Sequence, residues 1–469
     1  MERSFPRDLN LAYGALPEIY ARMANGRYGE LSHFIMQPGG WYNAALAAWL
    51  HLAGRSGLAF TAAGALWAGL LPFAAYRLGS ASGTSEGAAS EGEGTRARWA
   101  GTGAAALVAA APGLTFQAQA GWIHIPEAAL VALAAAAFAH DSGLWKRSTV
   151  ATMAACGGLA IGVRPSGVTW VLVLAVALFA APQPRREWRV RACTIGAIWL
   201  LACRVPLPVM LAYSRDHWAI RGRYIDLIPN IADQFVHELG VPGLMFTVGG
   251  LGTLAIRRFA MARSVRFIVL GWILLALAMF AAVRCGLDNF PLLFVALAAL
   301  AGVGLAGDAR NGMFLAIFSL ASLGYRLGVD VLSPAPSLPS TRIARYLDGT
   351  CPDRAHGRPC VVYIDQGLFF PQSEEPGGLE LFLMGEGRVQ AIALTQRRGG
   401  EPAPDALATW NCGERDTLWL QRFPHAVDER ERVIRQYSLT TASTRETDGC
   451  TFLWMTPGGG FVGTDPDGL

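Results

Sequence analysis

Charge is scarce in this chain. Of its 469 residues only 16% are Asp, Glu, Lys or Arg and 52% are hydrophobic, where a soluble domain carries roughly 25% charged residues. Lysine is almost missing, since Lys146 is the single one and every other basic residue is Arg. Eight cysteines are too few for a disulfide-stapled scaffold of this length. There is no P-loop, no dinucleotide-binding glycine fingerprint and no His-Glu-x-x-His zinc motif, so ATP-driven and metalloprotease readings have no support. No internal repeat is visible. Disorder and collagen-like fibres are excluded by the apolar content.

What the chain does have is long apolar runs separated by short basic loops. A helix needs about 20 apolar residues to cross about 30 Å of hydrocarbon. Candidate spans lie near 58–77, 100–116, 125–140, 149–163, 167–182, 192–212, 241–256, 267–283, 290–306 and 312–328. The stretch Ser80–Thr95 (SASGTSEGAASEGEGT) has low complexity and reads as a flexible loop. The expected architecture is an all-α polytopic membrane protein of about ten transmembrane helices. Its parts are a first extracytoplasmic loop with amphipathic helices (1–57), the helical domain (58–330) and a C-terminal extracytoplasmic domain (331–469).

The net charge of +4 hides two opposite halves, +9 over residues 1–330 and −5 over 331–469. A basic membrane half means arginine collected at one bilayer face rather than a nucleic-acid stripe, so no nucleic-acid partner is expected. Alternate loops carry Arg77, Arg96 and Arg98; Lys146 and Arg147; Arg185, Arg186, Arg189 and Arg191; Arg257, Arg258, Arg263 and Arg266; and Arg310. The positive-inside rule makes that side cytoplasmic. Residues 1–57 then fall outside, yet Met1–Asn10 (MERSFPRDLN) is polar and no signal peptide. The expectation is a native reading frame that begins upstream with one more helix.

The tail leaves the membrane after Leu332-Ser333-Pro334, on the outer side by the same count. Its cysteines, Cys351, Cys360, Cys412 and Cys450, read as two disulfides of open connectivity in an oxidising compartment. Strand-like runs such as Cys360–Ile364 (CVVYI) and Leu418–Leu420 indicate a small α/β domain.

Polar residues at membrane depth cost about 2.5–3.5 kcal/mol each on insertion scales, so they need partners or a purpose. Five features stand out on the outer face. The first is Asp8, followed by the amphipathic stretch Leu11–Met23, which holds Glu18, and by Asn25-Gly26-Arg27-Tyr28. The second is Gln37-Pro38-Gly39-Gly40-Trp41-Tyr42, opening the helix-like Asn43–Leu52. The third is Gly121-Trp122-Ile123-His124-Ile125-Pro126-Glu127 at the mouth of a span. The fourth is Arg164-Pro165 between two spans. The fifth is Arg284 with Asp288, just before Phe290-Pro291. Arg221 and Arg223 sit in the outer loop 214–240.

This order resembles the GT-C superfamily of membrane glycosyltransferases, nearest the protein mannosyltransferase (family 39) and aminoarabinose transferase groups. The resemblance covers about residues 1–330 and rests on the order of features. It implies a multi-pass protein of the cell (inner) membrane that moves a sugar from a polyprenyl phosphate to an acceptor outside the cytoplasm, with inversion. It implies an outer-loop carboxylate as catalytic base, which maps best to Asp8, with Glu18 in reserve and Glu127 as a further candidate. Arg284 matches the arginine that grips the lipid phosphate. His124, Arg164, Arg221, Arg223 and Asp288 are candidate substrate contacts.

The chemistry fits those residue types. A carboxylate within hydrogen-bond reach takes the acceptor hydroxyl's proton as oxygen attacks the anomeric carbon. The departing phosphate monoester needs fixed positive charge, and the guanidinium pairs bidentately with phosphate and stays charged. No cofactor is expected; a divalent metal is possible for the superfamily but not favoured. Partners are the polyprenyl-phosphate sugar donor, membrane lipids and an acceptor that is protein, lipid or glycan. The rival readings are a transporter or flippase of a lipid or small molecule, and a membrane-anchored scaffold.

Overall fold

The computed structural model describes residues 16–31, 39–83, 91–119, 123–164, 166–180, 185–204, 231–257, 263–282 and 290–306. It also describes scattered positions between 314 and 325, and residues 360–364, 389–393, 403–411, 424–447 and 450–458. In chain order the helices are α1 Leu16–Ala24, α2 Gly40–Ala53, α3 Gly57–Ser82, α4 Glu91–Ala110, α5 Pro112–Gln119 and α6 His124–His140. They continue with α7 Arg147–Val163, α8 Gly167–Ala180, α9 Arg186–Cys203, α10 Ile231–Arg257, α11 Arg263–Ala282 and α12 Pro291–Leu305. The C-terminal elements are β1 Cys360–Ile364, β2 Val389–Ala393, β3 Ala406–Asn411, α13 Pro424–Gln436, β4 Leu439–Thr447 and β5 Cys450–Pro457. They group into two compact units, one of residues 29–42 and 61–334, the other of 1–28, 43–60 and 335–469.

In the larger unit α12 is the central helix, with every residue except Leu297 and Leu305 buried. Pro291 opens it, where a missing N–H costs nothing. It packs against α4, α10, α11 and α6. Small residues make the approach close: a Cβ at Gly302 would collide with Ala100 O, and one at Gly304 with Gly250 O. This is the small-residue packing that membrane helices use in place of a hydrophobic drive between them.

The outward faces carry the opposite pattern from a soluble protein. Leu172, Val176 and Phe179 of α8, Leu200 and Leu201 of α9, and Phe267, Leu270, Leu274 and Leu277 of α11 are all exposed. Those on α8 and α11 recur at helical spacing and form stripes. Water would make such stripes costly, whereas lipid chains satisfy them. Leu58–Ser82 and Asp233–Ala255 are long and apolar enough to cross a membrane, and five apolar helices of 10–17 residues accompany them. The larger unit is a membrane-embedded helical bundle.

Several boundaries differ from the expected ones. The reading of Ser80–Thr95 as a flexible loop is corrected at both ends, because α3 runs to Ser82 and α4 begins at Glu91. The small residues that look like linker composition are helix-contact residues. A Cβ on Gly79 would lie 2.8 Å from Ala100 O, and one on Gly83 would lie 3.0 Å from Ala97 Cα. The expected span 100–116 breaks at Ala111, because Pro112 starts a separate helix. The expected 241–256 begins ten residues earlier, at Ile231, and is kinked at Gly240, whose φ of 69° lies in the left-handed region.

The second unit contains a five-stranded sheet of order β2-β1-β3-β5-β4. β1 pairs parallel with β2 and β3, while β3–β5 and β5–β4 are antiparallel. Val361, Tyr363 and Leu407 pack with Val433 of α13 and Leu439 in one apolar cluster. Cys360 is disulfide-bonded, whereas Cys156, Cys193 and Cys203 of the helical unit are free thiols. In the same unit Tyr20 of α1 meets the His51 ring of α2 at 6.0 Å, and Arg55 stacks on Tyr20 at 5.8 Å.

Candidate active site

The short connections of the larger unit put the start of α6, the end of α7 and the start of α8 at one end of the bundle. There α6 opens on His124, Ile125, Pro126 and Glu127, all buried. Glu127 lies in the first turn, where the helix dipole favours a carboxylate. The α7–α8 turn faces it. Arg164 ends α7 in an extended conformation, as the residue before a proline prefers, and the Gly167 N–H returns to Arg164 O at 2.9 Å. Only glycine fits at 167, because a Cβ there would collide with the Ala160 carbonyl.

Side chains from the two elements converge. Ser166 Oγ donates to Glu127 Oε1 at 2.7 Å. Arg164 Nη1 meets both ring nitrogens of His124, with Nε2 at 3.2 Å. Arginine only donates, so the histidine nitrogen that receives it is the bare one. The Arg164 charge also acts on Glu127. The guanidinium is therefore held by an imidazole and by the field of a buried carboxylate.

A third segment joins them. The Gly39 N–H donates to Gly162 O at 3.0 Å, two residues before Arg164. Trp41 lies against Gly162 and is edge-on to Tyr42 at 5.9 Å. Among the described residues, Trp41 Nε1 is buried without an acceptor. Three of the five outer-face features are thus brought to one place: Gly39–Trp41, His124 with Glu127, and Arg164. The arrangement offers one carboxylate, one oriented guanidinium and one unsatisfied indole donor.

Glu18 is on α1 of the second unit, between the buried Leu16 and Ile19. Asp8, Arg221, Arg223, Arg284, Asp288, Cys351 and Cys412 lie outside the described residues. Cys450 is the first residue of β5. Among the described residues no group of three or more His, Cys, Asp or Glu stands together as metal ligands would. Sequence reasoning passed over Ser166, whose only signal is that it follows Arg164-Pro165. It also passed over Gln117 and Glu238, which meet at 3.1 Å in a buried contact.

The helical bundle has the fold of a membrane glycosyltransferase of known structure, the aminoarabinose transferase ArnT. Two crystal structures carry that comparison, both of ArnT from Cupriavidus metallidurans. The apo form matches with a TM-score of 0.56 and 13% identity, over 97% of this chain and 94% of that one. The form bound to undecaprenyl phosphate matches with a TM-score of 0.55 and 12% identity, over 96% and 94%. The likeness is one of fold. No protein-family model matches the sequence, and no curated protein matches it either.

Proposed function

We propose that the chain is a glycosyltransferase that moves a glycosyl group from a polyprenyl phosphate to an acceptor at the extracytoplasmic face of the cell membrane. The observation that carries this reading is the buried Glu127, hydrogen-bonded by Ser166 and set beside the His124-bound Arg164 at one end of the bundle. The fold it shares with an ArnT structure bound to undecaprenyl phosphate supports the lipid class.

The step is a displacement at the anomeric carbon. The acceptor oxygen forms the new bond, its proton passes to a carboxylate, and the bond to phosphate breaks with the electron pair leaving on the phosphate. Asp8 is the proposed base, with Glu18 in reserve, and Glu127 is the further candidate at a defined site. Arg284 is the first proposed phosphate ligand. Arg164 is the second, because a guanidinium fixed before the reaction stabilises developing charge without reorganising. Trp41 Nε1 adds a neutral donor. Arg221, Arg223 and Asp288 are proposed to line the donor from neighbouring loops. The reaction as written balances without a metal, and EDTA is expected to leave turnover unchanged.

The transporter reading draws on one observation, the break in α10 at Gly240, since broken helices mark transporter sites. The break stands near one end of α10, and the sequence has no repeated halves. The transferase reading is preferred.

The test needs no acceptor. Purified wild type, Arg284→Ala and Arg164→Ala are compared by native mass spectrometry for retained or added undecaprenyl phosphate. Binding by wild type and its loss in either variant supports the donor class and places the phosphate. Failure of wild type to bind when the lipid is added overturns the reading. Asp8→Asn and Glu127→Gln then separate the two carboxylates, since the base variant keeps lipid binding and loses transfer.

A further inference from the structure

A second polar pair lies at the same end of the bundle. Gln117 of α5 and Glu238 of α10 are 2% and 5% exposed, and Gln117 Nε2 donates to Glu238 Oε2 at 3.1 Å. The other Glu238 oxygen meets His237 Nδ1 at 3.2 Å, and that imidazole is largely exposed. Among the described residues, Gln117 Oε1 is buried and accepts from no group. An amide flip does not relieve this, because it would set a carbonyl against the carboxylate. The site is thus rich in acceptors and short of a donor.

The backbone around the pair is built for close approach. A Cβ on Gly113 would collide with the Glu238 carboxylate, so only glycine lets α5 lie on α10 here. Two residues beyond Glu238, Gly240 breaks α10 with a φ of 69°, and Tyr325 and Pro112 pack at the break. A broken helix beside a buried carboxylate in a membrane bundle marks a place where a polar ligand is held. Helix α5 packs against both α10 and α6, and α6 opens on His124 and Glu127. Gln117 thus sits on the helix that precedes the candidate active site in the chain and packs against α6.

We infer that Gln117 and Glu238 form a sugar-recognition subsite that accepts hydrogen bonds from hydroxyls of the glycosyl group on the lipid-linked donor. An amide carbonyl and a carboxylate side by side suit two neighbouring O–H donors, each of which needs an acceptor once it leaves water. The exposed His237 side is where the ring enters. This rests on the transferase reading and specifies which part of the donor meets which residues.

The test uses the full-length protein in nanodiscs with two kinds of probe: bare undecaprenyl phosphate, and undecaprenyl phosphate carrying glucose, mannose or arabinose. Wild type is expected to bind at least one glycosylated lipid about tenfold more tightly than the bare carrier, as one charged-acceptor hydrogen bond gives. Gln117→Met and Glu238→Gln are expected to erase that preference and keep the affinity for the bare carrier. A preference that survives in both variants overturns the subsite. So does equal binding of bare and glycosylated lipid by wild type, the result of a pocket that holds only water. A parallel loss for both lipids assigns the pair a structural role and overturns it as well. Wild type binding neither lipid removes the transferase reading itself. Thermal unfolding of each variant separates loss of fold from loss of recognition.

Discussion

Ser166 Oγ donates to Glu127 Oε1 at 2.7 Å, joining the turn after α7 to the first turn of α6 across 39 residues of chain. The bond fixes one oxygen of a buried carboxylate. Ser166→Ala removes the donor and keeps the charge, so it is expected to lower turnover about tenfold, the effect of one lost charged hydrogen bond. Ser166→Thr is expected to restore most of the rate. Release of undecaprenyl phosphate from a labelled lipid-linked sugar, with a membrane extract as acceptor source, measures both. Full activity in Ser166→Ala would take Ser166 out of the mechanism.

Arg164 presents a planar fork to His124, and its charge acts on Glu127. Lysine keeps the charge but offers one point donor in place of the planar fork. Arg164→Lys is therefore expected to weaken undecaprenyl phosphate binding about tenfold, nearly as much as Arg164→Ala. Titration of the lipid in nanodiscs reads the difference. Wild-type affinity in the lysine variant would show that charge alone suffices.

The legible part of the fold was its apolar periodicity. α6, α7, α8 and α12 fall within about two residues of the expected spans. The Cys360–Ile364 run matches β1 over its whole length. Misread segments were those whose composition serves two purposes. Gly83, in the stretch that looks like a linker, is a helix contact against Ala97 and Ala100. The α10 start looked like a solvated loop because Asp233, His237 and Glu238 interrupt its hydropathy, and burial of Glu238 against Gln117 depends on a partner 121 residues away. His124, Glu127 and Arg164 were visible because each is a costly residue at a span boundary. Ser166 was not, since serine at a helix start is ordinary without knowledge of what faces it.

The α7–α8 turn that carries Arg164 and Ser166 depends on Gly167. Any Cβ there meets the Ala160 carbonyl, which is backbone and cannot rotate away. Gly167→Ala is expected to destabilise the protein by about 1–3 kcal/mol, the usual cost of overpacking. It should also lower turnover by displacing the two side chains. Gly158→Ala is the control, because its nearest neighbour would be the Ile198 side chain at 3.4 Å. Thermal unfolding in detergent, followed by tryptophan fluorescence, should separate the two. Equal stability would show that the turn relaxes freely.

Cys360, at the first position of β1, carries a disulfide, whereas the described cysteines of the helical unit are thiols. A disulfide persists where the compartment is oxidising, so recovery of this bond from cells would test the expected placement of the tail outside the cytoplasm. Peptide mapping of protein isolated with alkylation should find Cys360 cross-linked to another tail cysteine, Cys351, Cys412 or Cys450. Cys193, on the exposed face of α9, should be recovered alkylated. Reduction, or Cys360→Ser, is expected to cost the sheet about 2–5 kcal/mol, read as a lower melting temperature. The Tyr363–Val433 core next to it should respond first, because β1 is paired on both sides and transmits any shift to β2 and β3. Recovery of Cys360 as a free thiol would place the tail on the reducing side, and with it would reverse the sidedness drawn from the arginine loops.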